Sequence, residues 1–167
     1  EALKVLTGLR ELESLGLNGH DVTPEAISFP KLKSLEISGE TLGGALGRSI
    51  SRCRELESLQ VHFADVDDDA FDAMAGHPQL NRLNVRARYI NDRAILPLSK
   101  CPHLADIHLQ TSGLTDESLG YLSELESLSR LSLNWRKNEF TQAGVEQLAR
   151  LPRLDTLKLR MIPFPGL

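Results

Sequence analysis

Seven blocks of alternating apolar and polar residues recur along the chain. Each block has an aliphatic residue at its first, fourth and sixth positions, with polar or small residues at most positions between them. The blocks are LESLGL (12–17), LKSLEI (32–37), LESLQV (56–61), LNRLNV (80–85), LADIHL (104–109), LSRLSL (128–133) and LDTLKL (154–159). Their starts are 20, 24, 24, 24, 24 and 26 residues apart. The alternation predicts one β-strand per block with a single buried face, and the regular spacing predicts a repeat protein.

After the strand blocks the apolar spacing changes from two residues to three or four. The mostly apolar sets are Phe71, Met74 and His77; Ile95, Leu98 and Cys101; Leu119, Leu122 and Leu125; and Val145, Leu148 and Leu151. This spacing is typical of one face of a short helix, and Thr23, Asp67, Asn91 and Thr115 are suited to capping the helix starts. Each repeat is therefore predicted to be a strand, a turn and a helix. Such units bury their apolar faces by stacking into a solenoid, with a parallel sheet inside and helices outside.

The repeat motif resembles that of the leucine-rich repeat family across essentially the whole chain. The segments SKCPHL (99–104) and LTDESL (114–119) resemble the cysteine-containing, ribonuclease-inhibitor-like repeats of F-box substrate receptors, and related bacterial leucine-rich repeat proteins have a similar LTD phrase. The resemblance implies an α/β solenoid with a curved parallel sheet on the concave face and short helices on the convex face. From the repeat count and the incomplete repeats at both ends we also expect a single domain over residues 1–167, with about six repeats and partial ends, as a fragment of a longer protein.

Composition and cysteine content narrow the class of protein. The 167 residues are 41% hydrophobic and 25% charged, which is typical of a globular domain. The apolar runs are too short for a membrane span, and the first residues lack a signal-peptide pattern. Cys53 and Cys101 are 48 residues, or two repeats, apart in sequence; this places them roughly 10 Å apart in space, too far for a disulfide. We therefore expect two buried core thiols and a cytoplasmic, reducing compartment.

In each block the third and fifth residues, and the residue after the block, are predicted to point out from the sheet. In the first three repeats these positions carry one charge, on Glu36. In the last four they carry one negative charge, on Asp106, and five positive charges, on Arg82, Arg86, Arg130, Lys158 and Arg160. The whole chain has a formal net charge of −4. A cluster of positive charges on the inner face of a solenoid predicts a binding surface for an acidic partner.

Two further residues join the predicted site. His108 lies on the same face, and Trp135 falls within the 134–139 segment, where the last repeat spacing is two residues longer than the usual one. We expect this segment to form a rim loop that exposes Trp135, a residue type enriched in binding hot spots. Phe63 and Met161, which follow other strands, are also expected to be exposed. The predicted partner-binding residues are Arg82, Arg86, His108, Arg130, Trp135, Lys158 and Arg160.

Two residue patterns have the composition of a reactive or metal site. Asp106, His108 and Ser132 offer an acid, a base and a nucleophile on one face, but residues on an open sheet lack an oxyanion hole and a pocket that excludes water. The stretch DVDDDAFD (65–72) begins like a calcium loop, but it has Ala70 where that loop requires Gly. We therefore predict no enzyme activity, no catalytic residues, no metal site and no cofactor.

The sequence predicts a protein–protein interaction module whose inner face in repeats 4–7 binds an acidic partner. Two alternatives remain open: the same face binds a phosphorylated ligand or a nucleic acid, or the chain is a purely structural segment of a larger solenoid. Nucleic acid is disfavoured because the face has few aromatic residues for stacking bases. The family resemblance implies an adaptor in ubiquitin ligation, a bacterial effector delivered into a host cell, or a cytoplasmic scaffold. No membrane association is predicted.

Overall fold

The fold is built around one parallel β-sheet. The computed structural model describes residues 8–18, 29–135 and 140–161, except for the side chains of Trp135 and Met161. Within these residues seven strands lie side by side in sequence order, each parallel to its neighbour. The strands are β1 (Ser14–Asn18), β2 (Ser34–Leu42), β3 (Ser58–Val66), β4 (Arg82–Arg86), β5 (Asp106–Thr111), β6 (Arg130–Trp135) and β7 (Thr156–Met161). Each begins at the third residue of one of the seven sequence blocks, so the prediction of one strand per repeat is confirmed.

The strand register aligns equivalent residues of successive repeats into three columns, which together form the concave face. The first column runs from Ser14 to Thr156, and the third runs from Asn18 to Arg160. The members in repeats 4–7 are Arg82, Asp106, Arg130 and Thr156 in the first column; Asn84, His108, Ser132 and Lys158 in the second; and Arg86, Gln110, Asn134 and Arg160 in the third. Neighbouring strands are about 4.8 Å apart, so adjacent members of a column are within side-chain reach of one another.

The aliphatic residues of the blocks form the core behind this face. In repeats 2 to 6 the first, fourth and sixth residues of each block are buried, as Leu80, Leu83 and Val85 are with 0% exposure. Burying one such side chain contributes about 1.5–3 kcal/mol to stability. Because strand side chains alternate between two faces, a slip of one residue in register would expose the whole set. The core therefore fixes which residues reach the concave face.

Short helices return the chain from the end of one strand to the start of the next. The described helices are α1 (Gly44–Ile50), α2 (Asp92–Ile95), α3 (Asp116–Leu122) and α4 (Gln142–Gln147), with 3-10 segments at Asp72–Met74, Leu96–Lys100 and Leu148–Arg150. The predicted helix start at Thr23 lies outside the described residues. In the part of the chain that the structure describes, no helix is both long enough and apolar enough to cross a bilayer.

The aspartates after β3 act differently from the prediction that they cap a helix of their own repeat. That repeat has only the 3-10 turn Asp72–Met74, and no side chain caps it. Instead, the Asp69 carboxylate accepts a hydrogen bond of 3.1 Å from the backbone N–H of Gly44, at the start of α1 in the preceding repeat. The cap prediction is wrong because the turn after β3 packs beside α1, where the unpaired N–H group of Gly44 is available.

A ladder of side-chain hydrogen bonds joins the helix starts of successive repeats. In each rung a capping residue donates to an aspartate of the preceding repeat, and the pairs are Asn91 with Asp68, Thr115 with Asp92, and Thr141 with Asp116. The Asp92 carboxylate accepts from Thr115 Oγ1 at 2.7 Å, from Thr115 N at 2.9 Å and from Ser118 N at 3.2 Å. Hydrogen bonds from Thr141 lower the pKa of Asp116 below its usual value. This aspartate ladder bonds each helix start to the next repeat.

The two cysteines share a core position with His77 in successive repeats. Cys53 and Cys101 are free and fully buried, as predicted, and burial raises the pKa of both thiols. His77 is 1% exposed, and its Nε2 lies 3.1 Å from the carbonyl oxygen of Cys53. Burial lowers the pKa of His77 below its usual value. The ring is therefore neutral at pH 7 and can donate this hydrogen bond through Nε2–H.

The aspartate ladder predicts a stability loss for Asp92→Ala. Removing the carboxylate leaves the N–H group of Thr115 without its acceptor and takes one of two acceptors from the N–H group of Ser118, which also bonds to Thr115 O. The free energy of unfolding should therefore fall by about 2 kcal/mol. Urea unfolding followed by circular dichroism measures this change. Asp72→Ala is the matched control, because Asp72 is exposed and its carboxylate makes no hydrogen bond among the described residues. Equal stability of the two variants would contradict a stabilising role for the ladder.

The buried His77 predicts a loss of stability on acidification. A lowered folded-state pKa means that the unfolded chain binds more protons, so the free energy of unfolding should fall as the pH drops below about 6.5. His77→Cys, which places at this position the residue found at Cys53 and Cys101, should show a shallower fall between pH 7 and pH 5. Denaturant titrations at several pH values measure both slopes. Identical slopes would show that His77 does not carry this linkage.

Candidate functional site

The first column of the concave face contains an ion-pair triplet. Asp106 lies between Arg82 and Arg130, and its Oδ2 is 3.3 Å from Arg82 Nε and 3.0 Å from one terminal nitrogen of Arg130. The Asp106 side chain is 23% exposed, whereas those of Arg82 and Arg130 are 56% and 50% exposed. The structure therefore places both arginines on the predicted face but pairs them with the single carboxylate there.

The other predicted cations of the face have no such partner. Arg86, Lys158 and Arg160, here called the cationic trio, are exposed. Within the described residues none of the three makes an ion pair or a side-chain hydrogen bond. Lys158 lies in the second column, and Arg86 and Arg160 lie in the third. Their positive charge is consequently available to a ligand.

His108 lies in the second column near two members of the trio. Burial is the main cause that lowers the pKa of His108, and the charges of Arg86 and Lys158 also lower it, while Asp106 opposes them. Its Nε2 is 3.3 Å from Nδ2 of Asn134. A neutral ring can accept that hydrogen bond at Nε2, because the amide nitrogen is a donor.

The predicted acid, base and nucleophile are not joined into a catalytic arrangement. Asp106 contacts the two arginines, and His108 contacts Asn134. Among the described residues, no hydrogen bond connects either of them to Ser132. The described side chains also include no group of three or more His, Cys, Asp or Glu placed to hold a metal ion.

Two adjoining hollows lie on the concave face beside the trio. The Arg86 hollow has a volume of about 520 Å³, and residues lining it include His62, Phe63, Arg86, Arg88, Gln110 and Asn134. The Lys158 hollow has a volume of about 290 Å³, and residues lining it include His108, Arg130, Ser132, Asn134, Lys158 and Arg160. Asn134 lines both. The trio therefore borders two depressions of the sheet face that share Asn134.

Three buried polar atoms on this face have no hydrogen-bond partner among the residues that the structure describes. They are His62 Nε2, Asn84 Oδ1 and Asn134 Oδ1. A buried polar atom without a partner costs about 1–3 kcal/mol, and most such atoms in proteins are satisfied. His62 and Asn134 line the Arg86 hollow. Sequence reasoning missed them because their polar residue types are ordinary on the open face of a sheet.

Phe63 is buried rather than exposed. The alternation of buried residues in β3 continues past the block to Phe63, which takes a core-facing position and is 6% exposed. The expectation of an exposed Phe63 is wrong because the strand extends beyond its sequence block. The ring still borders the Arg86 hollow, where it contributes apolar surface.

Trp135 lies in a strand and not in a rim loop. It is the last residue of β6, where it pairs with Thr111 of β5 and Met161 of β7. The loop prediction is wrong for Trp135 because the strand extends past the sequence block, as β3 does. Residues 136–139 and the side chains of Trp135 and Met161 lie outside the described part of the structure, so their exposure stays a prediction.

Arg88 points outward at the rim of the Arg86 hollow. Its guanidinium lies 2.8 Å from Oδ2 of Asp65, and its side chain is 71% exposed. The guanidinium stays at the surface and pairs with Asp65, because burial of an unpaired guanidinium would be costly.

Comparisons with known proteins identify the architecture. No family model and no curated protein matches the chain. An internalin from Listeria monocytogenes is similar in structure, with a TM-score of 0.56 and 16% sequence identity, over 97% of this chain and 52% of that one. The chain has a leucine-rich-repeat fold.

A protein from Bacteroides fragilis gives a TM-score of 0.41 and 14% identity, over 84% of this chain and 50% of that one. The chain thus spans about half the length of either structure. In the leucine-rich-repeat fold the sheet lines the inner face of the solenoid, so both hollows open on that side. The sequence-based assignment of the fold is confirmed.

The neighbours of His108 predict how its pKa responds to mutation. Nuclear magnetic resonance titration of the imidazole should give a value below about 6.5 in the unmodified chain. Arg86→Gln should raise the pKa of His108 because it removes a positive charge, and Asp106→Asn should lower it further because it removes a negative one. An unchanged titration in Arg86→Gln would show that the Arg86 charge does not reach the ring.

Proposed function

We propose that this chain is a protein-interaction module whose concave face in repeats 4–7 binds an acidic segment of a partner protein. The observation that carries the proposal is the cationic trio of Arg86, Lys158 and Arg160, which is exposed and unpaired among the described residues. The trio lies in a chain with a formal net charge of −4. Positive charges gathered on one face of an acidic protein attract an acidic partner and orient it.

The ion-pair triplet narrows the proposed contact surface. Asp106 neutralises part of the charge of Arg82 and Arg130, so we assign these two arginines to the wall of the site. We propose that the trio contacts the partner's carboxylates directly and that His108 forms a hydrogen bond with the partner. Trp135 stays a predicted contact at the end of β6. The hollows give room for the partner's side chains between these groups.

The fold supports a binding role in a second way. Solenoids of this kind commonly bind partners on their extended concave surfaces, and the proposed site lies on that surface. We propose no catalytic step and no cofactor for this face, because its polar groups lie in open depressions that do not exclude water. We also propose a reducing compartment such as the cytoplasm, on the basis of the two free thiols. The adaptor, scaffold and effector roles are finer proposals of the same kind.

The proposal predicts binding of an acidic peptide that depends on the trio. A fluorescein-labelled peptide of alternating Glu and Ser residues should bind the chain, and the double variant Arg86→Gln plus Lys158→Gln should weaken binding about tenfold. Fluorescence anisotropy measures the dissociation constant. Raising the salt concentration should weaken binding to the unmodified chain more than to the variant, because salt screens exposed charges.

The matched control is Arg48→Gln plus Arg93→Gln, which removes two exposed arginines from helices on the convex side. This control should bind the peptide as the unmodified chain does. Equal weakening in both double variants would show that net charge alone is responsible and would contradict a site on the concave face. Tighter binding of a single-stranded oligonucleotide than of the peptide would favour the nucleic-acid alternative instead.

A further inference from the structure

The Arg86 hollow brings polar side chains of the third column side by side. His62, Arg86, Gln110 and Asn134 occupy four consecutive strands in register. Strands in a sheet are about 4.8 Å apart, so the ends of neighbouring side chains can reach a common ligand atom. All four residues line the hollow. The strand register therefore holds these four side chains next to one another.

The charge of the hollow is unbalanced. No described residue that lines it carries a carboxylate, and Arg86 makes no ion pair within the same part of the chain. Arg88 at the rim contacts Asp65, which compensates that one guanidinium. One full positive charge consequently remains in the hollow, so it favours an anionic guest.

The interior of the hollow also has an unsatisfied polar atom. His62 Nε2 is buried and has no hydrogen-bond partner in the described ranges of the chain. An imidazole nitrogen that carries a proton can donate to an oxyanion, and such a bond would remove the cost of leaving this atom unpaired. Ser112 lines the same hollow, and its hydroxyl is a further donor.

The volume and the lining of the Arg86 hollow suit a bound amino-acid side chain better than a single bound ion. Its volume of about 520 Å³ is in the range of small-molecule sites. Phe63 and Thr111, which are 6% and 4% exposed, and the half-buried Ala87 contribute to its lining. This partly apolar lining suits the carbon stem of a residue whose charged end meets Arg86.

We infer that the Arg86 hollow binds a phosphate monoester carried by a side chain of the acidic partner segment. This inference rests on the proposed function and names the group that anchors the partner. A phosphate has three terminal oxygens and about −1.5 to −2 charges at pH 7. It can therefore use the Arg86 fork together with donors from His62, Gln110 and Ser112. A carboxylate has two oxygens and one charge, so it would leave more of these donors unpaired.

The test compares three peptides that differ at one central residue: phosphoserine, Glu or Ser in the same alternating Glu and Ser background. Fluorescence anisotropy should show the phosphoserine peptide binding at least about tenfold more tightly than the Glu peptide. Arg86→Gln should remove this preference, whereas Arg93→Gln on the convex side should keep it. Arg86→Lys retains the charge but loses the two-pronged donor, so it should reduce the preference. A phosphotyrosine peptide shows which phosphorylated residue fits better.

The outcomes separate this inference from the proposed function. If the phosphoserine, phosphotyrosine and Glu peptides bind equally and all depend on the trio, the phosphate inference is wrong and the acidic-segment proposal stands. If none of the peptides binds, the proposed function fails. A preference for phosphate that persists unchanged in Arg86→Gln would place the phosphate elsewhere and overturn the assignment to this hollow. Circular dichroism of each variant verifies that the fold is intact.

Discussion

The structure depends on the parallel pairing of neighbouring strands in register. That pairing brings equivalent residues about 4.8 Å apart. The apolar side chains of one repeat therefore lie beside those of the next, and so do its charged and polar side chains. Leu80, Leu83 and Val85 are one level of a core that no single repeat could bury by itself. On the opposite face the same pairing collects Arg86 with His62 and Gln110. Core and surface are therefore two results of one constraint.

Much of this arrangement could be predicted from the sequence, because repeat spacing and alternation report directly on register. The seven strands, the buried cysteines and the members of the three columns followed from that spacing alone. The ends of the strands did not. Phe63 and Trp135 lie beyond their blocks, and the length of a strand past its motif depends on pairing with neighbours rather than on local residue type. The longer spacing of the last repeat therefore suggested a loop over 134–139, although Trp135 itself lies in β6.

The electrostatics of the face were also only partly predictable. The sequence placed the charged residues in the correct columns. The pairing of Asp106 with Arg82 and Arg130 depends on side-chain conformations, which the repeat spacing does not determine. Likewise, capping residues such as Thr115 looked like local helix starts, although Thr115 also bonds to Asp92 of the preceding repeat. Both cases have one physical cause. A polar side chain in a solenoid has neighbours above and below it as well as along its own chain.

Because of the aspartate ladder, a complete repeat can be removed or added while the contacts between helix starts stay the same. A capping residue recurs at Asn91 and Thr115, 24 residues apart, and each is followed by an aspartate that accepts from the next repeat. Excision of residues 92–115 would therefore join Asn91 to Asp116 and leave an equivalent junction. Gene recombination at these points can shorten or lengthen the solenoid in steps of about 4.8 Å. The reach of the concave face can thus be adjusted to a partner without redesign of the joints.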